Sequence, residues 1–171
     1  MIKMIIISIL LALNVWAIEI GKVPKKVTIS GEDGGVVVDN SGWNSSNIKD
    51  KVYVMFYVDP DEKDTNEHFT QALKAKKYDR ANYGSIAVIN LAATWKPNFI
   101  IEKLLKSKQE NYPDTIYVKD KKSVLVKEWG IADDASDILV FSKNGELLFY
   151  KAGAMSKEDM QKVFKLIEGN L

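Results

Sequence analysis

The 171-residue chain carries 24 basic and 23 acidic residues, a formal charge of +1, and no cysteine. This excludes a disulfide-stapled domain and all thiol chemistry, and the balanced charge argues against nucleic acid as a partner. One core suffices at this length, because a domain of about 150 residues buries roughly 70% of its unfolded surface.

Residues 1–17 read as a secretory leader. A single charge, Lys3, precedes an apolar run from Met4 to Leu13, and Val15 and Ala17 supply the small residues of a signal-peptidase site, with cleavage expected between Ala17 and Ile18. The run is about half of what spans a bilayer, so a permanent anchor is the weaker reading. No second long apolar run follows, and no stable membrane insertion is expected after cleavage. Loss of Lys3 leaves 23 basic against 23 acidic residues in a single domain over residues 18–171.

Two β-rich pieces, Val27 to Ser30 and Val36 to Asn40, flank Gly31, Asp33, Gly34 and Gly35, and an N-terminal β-hairpin is expected there. Lys51 to Val58 concentrates Val, Tyr, Met and Phe as a buried strand. Asp64 with Glu67 offers a capping box for a helix from about Thr65 to Lys77. Ser85 to Leu91 is a second strand, and a helix entered through Pro97 carries Ile101, Leu104 and Leu105 before Pro113 stops it. Thr115 to Val118 is a short strand, and Val124 to Ile131 is either linker or short helix.

Ile138 to Ser142 and Glu146 to Lys151 are strands joined through Lys143-Asn144-Gly145, in which Asn-Gly is the pair favoured by a type I′ turn. Ser156 with Asp159 caps a last helix whose Met160, Val163, Phe164 and Ile167 share one face, and Gly169 ends it. Alternating strands and helices closed by a hairpin and a helix indicate one α/β domain.

The stretches Gly130-Ile131, Ile138-Leu139-Val140-Phe141, Asn144-Gly145-Glu146 and Gly153-Ala154-Met155-Ser156 resemble the end of thioredoxin. Gly21-Lys22-Val23-Pro24 and the strand after Lys51 resemble the peroxiredoxin and TlpA-like branch. With Trp43-Asn44-Ser45, Pro97, Tyr112-Pro113, Lys127-Glu128-Trp129 and Lys151-Ala152-Gly153-Ala154, nearly everything after Ala17 is similar to the YtfJ family of small exported proteins. The resemblance implies a thioredoxin-like three-layer α/β/α sandwich with a mixed central sheet. It also locates what is missing. Redox members carry cysteine where the first core strand meets its helix, and a cis-proline before the strand near Ile138. Here Asp59 to His68 and Ala135-Ser136-Asp137 stand in those places, so disulfide exchange and peroxide reduction are excluded.

Asp59, Asp61, Glu62, Asp64, Glu67 and His68 crowd into ten residues. Carboxylates suit a hard cation, but the order is not that of a calcium loop and Lys63 intrudes, so they are read as a solvated loop favouring the helix N-terminus. His68, the only histidine, is read as a helix-surface residue, with Ser136 or Asp137 as its conceivable acid-base partners. Trp43, Trp95 and Trp129 are read as core residues. Lys74, Lys76, Lys77, Arg80, Lys103, Lys106 and Lys108 are read as solvated helix surface.

The sequence therefore predicts a periplasmic, non-catalytic binding or accessory protein of the cell envelope. It has no cofactor and no metal, and its partner is an envelope protein or another periplasmic component. The candidate binding surface is Asp59, Asp61, Glu62, His68, Ser136 and Asp137. The competing expectation is a metal-dependent or hydrolytic enzyme built on Asp59 to His68.

Overall fold

The computed structural model describes residues 17–171, so the leader assigned above lies, but for Ala17, outside the described residues. Strands are β1 (Thr28–Ile29), β2 (Gly34–Val36), β3 (Trp43–Asn44), β4 (Val52–Val58), β5 (Tyr83–Asn90), β6 (Thr115–Asp120), β7 (Ser136–Phe141) and β8 (Leu147–Lys151). Helices are α1 (Glu67–Ala75), α2 (Asn98–Asn111), α3 (Val124–Trp129) and α4 (Lys157–Glu168). Six strands form one mixed sheet in the order β2-β6-β5-β4-β7-β8. Within it β4, β5 and β6 run parallel, while β2, β7 and β8 pair antiparallel with their neighbours.

Side-chain alternation along β4 and β7 divides the core in two. Met55, Tyr57, Leu139 and Phe141 face α3, whose Leu125 and Trp129 are buried with them, and the β1–β3 ribbon closes that layer through Ile29 and Trp43. Val52, Val54, Ile138 and Val140 face α1 and α4, meeting Phe69, Leu73, Val163 and Ile167. Ile101 and Leu105 of α2 pack with Val37 and Leu91, against Ile89 and Tyr117. The three layers expected from the sequence are thus present.

Three local expectations are corrected. The segments Val27 to Ser30 and Val36 to Asn40 do not pair with each other. Instead β1 pairs with β3, Thr28 opposite Asn44, and β2 pairs with β6, Gly34 opposite Asp120. Gly34 and Gly35 are strand residues, not turn residues, and Gly31 opens a single 3-10 turn before them. Gly34 has φ 129°, and a Cβ there would sit 1.9 Å from Lys119 O, so only glycine lets the backbone lie against β6.

The capping box at Asp64 and Glu67 is also absent. Asp64 pairs with Lys63, and α1 starts from Asn66, whose side chain turns into the protein. At the β7–β8 turn, Gly145 N donates to Ser142 O at 2.9 Å and Gly145 alone has positive φ (80°), with a register shift at Val140/Phe141. That is a three-residue loop with a bulge, not a type I′ turn.

Other signals are met locally. Val124 to Ile131 resolves into helix α3, closed by Gly130 at φ 63°. The Ser156–Asp159 capping box of α4 is complete in both directions. The segment following the expected cleavage point is also tied down: Ile18 N donates to Trp129 O at 2.9 Å, and Gly21 N to Leu147 O at 2.7 Å.

Candidate functional site

The parallel strands β4, β5 and β6 end together, and β7 starts beside β4 at the same edge, Ser136 opposite Val58. Open α/β sheets hold their ligands at such carboxyl ends. Here that edge divides into a surface above α1 and a buried polar layer beneath α3.

Asp59 follows β4 and is buried. Its backbone N donates to Ala135 O at 2.8 Å, and its Oδ1 accepts from Asp61 N at 2.8 Å, so it fixes the loop on both sides. Burial pushes its carboxyl above the ordinary range, against the bond from Asp61 N. Asp61 is exposed and ion-paired with Lys96, and it accepts from Thr94 Oγ1 at 2.8 Å. Those two partners hold its carboxyl below the usual range, Lys96 first. Glu62 accepts from Thr65 Oγ1 at 2.5 Å.

The residue that organises this surface was not singled out from the sequence. Asn66, buried at the start of α1, donates from Nδ2 to Ser136 O (3.0 Å), Ser136 Oγ (3.1 Å) and Gly153 O (3.1 Å). Its Oδ1 accepts from Met155 N at 2.9 Å. One side chain thereby ties α1 to β7 and to the turn leading into α4. His68 reinforces the tie, its Nε2 donating to Met155 O at 2.8 Å.

Ser136 and Asp137 are adjacent in sequence yet serve opposite faces. Ser136 meets Asn66 on the α1 side, whereas Asp137 stands opposite Tyr57 in the β4–β7 ladder, on the α3 side. His68 and Asp137 are therefore separated by the sheet and form no acid-base pair. The six candidate residues do not make one concave site. Ser136 and His68 share the scaffold around Asn66, Asp59 is tied to the neighbouring Ala135 and to Asp61, Glu62 bonds Thr65, and Asp137 lies beneath the sheet.

The layer under α3 holds the buried Asp120, Tyr57, Asn90, Ser123 and Asp137, with the half-buried Tyr150 and the exposed Asp133 at its edge. Asp120 is satisfied on both oxygens: Tyr57 OH (3.2 Å) and Leu125 N (3.1 Å) donate to Oδ2, and Val124 N (2.8 Å) and Lys122 N (3.2 Å) to Oδ1. It acts as the cap of α3 from outside the helix. Burial, then the nearby Asp120 charge, pushes the Tyr57 hydroxyl well above its ordinary value.

Asn90 accepts from Ser123 Oγ at 3.0 Å and donates to Asp133 Oδ1 at 2.6 Å. Asp137 is the anomaly. Its Oδ2 accepts from Ala132 N (3.1 Å) and Tyr150 OH (3.2 Å), while Oδ1 is buried without a partner. Burial raises its carboxyl to about 6, against the bonds from Tyr150 and Ala132. Among the described residues no group of three or more His, Asp or Glu side chains is arranged to hold a metal ion.

The tryptophans divide. Trp43 and Trp129 are core residues, the latter donating from Nε1 to Lys25 O at 2.8 Å. Trp95 is 86% exposed, beside Asp61's partners Thr94 and Lys96.

Comparison with known proteins agrees with this fold. The family model described as a bacterial protein of unknown function, YtfJ_HI0045, matches residues 21–170. An uncharacterised protein of Haemophilus influenzae is 30% identical over 131 residues, covering 74% of this chain and 71% of its own. The uncharacterised protein YtfJ of Escherichia coli is 25% identical over 129 residues, covering 74% and 70%. Among solved structures, a putative thiol:disulfide interchange protein DsbE from Chlorobium tepidum superposes with a TM-score of 0.63. It is 13% identical and covers 90% of this chain and 99% of its own. The fold is thioredoxin-like, without a cysteine.

Proposed function

The chain belongs to the YtfJ_HI0045 family of bacterial proteins, and from that membership we propose an exported protein that works by binding rather than by chemistry. The observation that carries this reading is the occupation of polar groups where redox relatives of the fold keep their thiols. Asp59, Asn66, Ser136 and His68 are engaged with backbone or with one another, and Asp61 is closed by Lys96 and Thr94. Such a surface is rigid and leaves no free acid-base pair, which suits a fixed shape offered to a partner. The partner is an envelope protein or other periplasmic component, docking on the loop from Asp59 to His68. The leader pattern of residues 1–17 supports export to the periplasm.

The hydrolytic and metal-dependent alternative is the weaker reading, because His68 and Asp137 lie on opposite faces of the sheet and the loop carboxylates of Asp59, Asp61, Glu62 and Asp64 are engaged by backbone, threonine or lysine partners. Three measurements test the proposal. N-terminal sequencing of the protein from a periplasmic fraction should begin at Ile18. The purified protein should turn over neither a disulfide reporter nor peroxide above buffer. A photo-crosslinker at Glu62 should yield a discrete adduct that the same probe at Lys165 on α4 does not. Protein-dependent turnover, or identical adducts from both positions, overturns the reading.

A further inference from the structure

We propose that the outward face of α2, with the segment entering it, seats the protein on an anionic lipid surface. Trp95 (86% exposed), Phe99 (73%) and Leu104 (59%) project from this element, with Ile100 beside them. Phe99, Ile100 and Leu104 lie on α2, where the 100/104 pair is four residues apart and so shares one face, and Trp95 sits in the segment just before the helix. Trp95 is held in place, because its neighbours Thr94 and Lys96 are both fastened to Asp61 and Lys96 N donates to Thr94 Oγ1 at 3.3 Å.

The charges on this face are unbalanced. Lys103 and Lys106 make no ion pair or hydrogen bond among the described residues, and Lys108 and Lys74 flank the Tyr112 ring at 5.7 and 5.1 Å. Of the acids on the helix, Glu102 is held by Lys121 at 3.0 Å, leaving Glu110 alone against the helix's three lysines.

Distribution selects the partner. Lys103 stands between Phe99 and Leu104, and the core of a protein interface is depleted of lysine. A bilayer interface accepts this mixture: aromatic and aliphatic side chains enter at headgroup depth while lysine stems reach to phosphates. The inference goes beyond the binding reading above and does not depend on it.

Residues 18–171 contain every element of the fold and serve for the test. With Trp43 and Trp129 buried, emission changes report Trp95. Vesicles of phosphatidylglycerol and phosphatidylcholine in equal parts should shift the emission to the blue and pull the protein down at low salt, whereas phosphatidylcholine alone should not. Lys103→Ala with Lys106→Ala should weaken binding about 30-fold, from about 1 kcal/mol per lysine at an anionic surface. Phe99→Ser with Leu104→Ser should abolish co-sedimentation, with far-ultraviolet dichroism unchanged. The proposal is overturned by any of three results: no partition into the anionic vesicles, equal partition into both vesicle types, or capture by an immobilised acidic peptide without vesicle binding. None of these measures redox turnover or crosslinking at Glu62, so the two proposals fail separately.

Discussion

Replacing Asp137 by asparagine should make the protein more stable above pH 6, although it removes a buried, hydrogen-bonded side chain. The carboxylate is fully buried and one oxygen has no partner. Burial raises the group from 3.8 to about 6 in the folded protein. A carboxyl whose folded value is raised favours the folded state while protonated. Its stabilisation is therefore complete below about pH 4, declines as the pH rises to about 6, and is then gone. The whole change is about 3 kcal/mol, from 1.36 kcal/mol per pKa unit.

Asparagine keeps an oxygen for Ala132 N and Tyr150 OH and carries no charge. Its amide hydrogens inherit the unpartnered position at a cost of about 1–2 kcal/mol. Above pH 7 the net expectation for Asp137→Asn is thus a gain of about 1–2 kcal/mol, and near pH 4 a loss of similar size. Urea unfolding of both proteins from pH 4 to pH 8 measures this directly, because the remaining acids titrate in both and cancel in the difference. Stability curves that stay parallel across that range would refute the account of Asp137 as a carboxyl charged against its surroundings.

Two further substitutions probe the scaffold. Asn66→Ala deletes the bonds to Ser136, Gly153 and Met155 and strands the buried Met155 N–H, so a loss of about 3 kcal/mol in urea unfolding is expected. A loss below about 1 kcal/mol would remove Asn66 from its organising role. Gly34→Ala drives a Cβ into Lys119 O and should cost about 3 kcal/mol, with faster hydrogen exchange at Val37 N, which donates to Tyr117 O next to that pairing. Unchanged exchange at Val37 would show that the β2–β6 contact is not needed there.

Legibility followed the range of each signal. The alternation of Val52 to Val58, the apolar face of α4 and its Ser156–Asp159 box are encoded within a few residues, and each appears where its pattern places it. The N-terminal segment misled because Gly34 and Gly35 are turn formers locally, while the structure uses their missing side chains to admit the β6 backbone. Asp64 likewise carries the right residue type for a cap, but the start of α1 is fixed by Asn66 reaching partners 70 to 89 positions away. No local pattern announces such a bond.

The sequence by itself determined the class of fold, through strand and helix periodicities, and the lack of thiol chemistry, through the absence of any cysteine. Tertiary structure alone decided what occupies the vacated site. Strand alternation sent Ser136 to Asn66 and Asp137 to the far side of the sheet, which removed Asp137 as a partner for His68. It also left Trp95 outside the core that took Trp43 and Trp129. The physical reason is the same in both cases. Periodicity specifies which side chains share a face, but only the packing of elements distant in sequence settles which faces are covered, which are left to solvent, and which charges are buried without a partner.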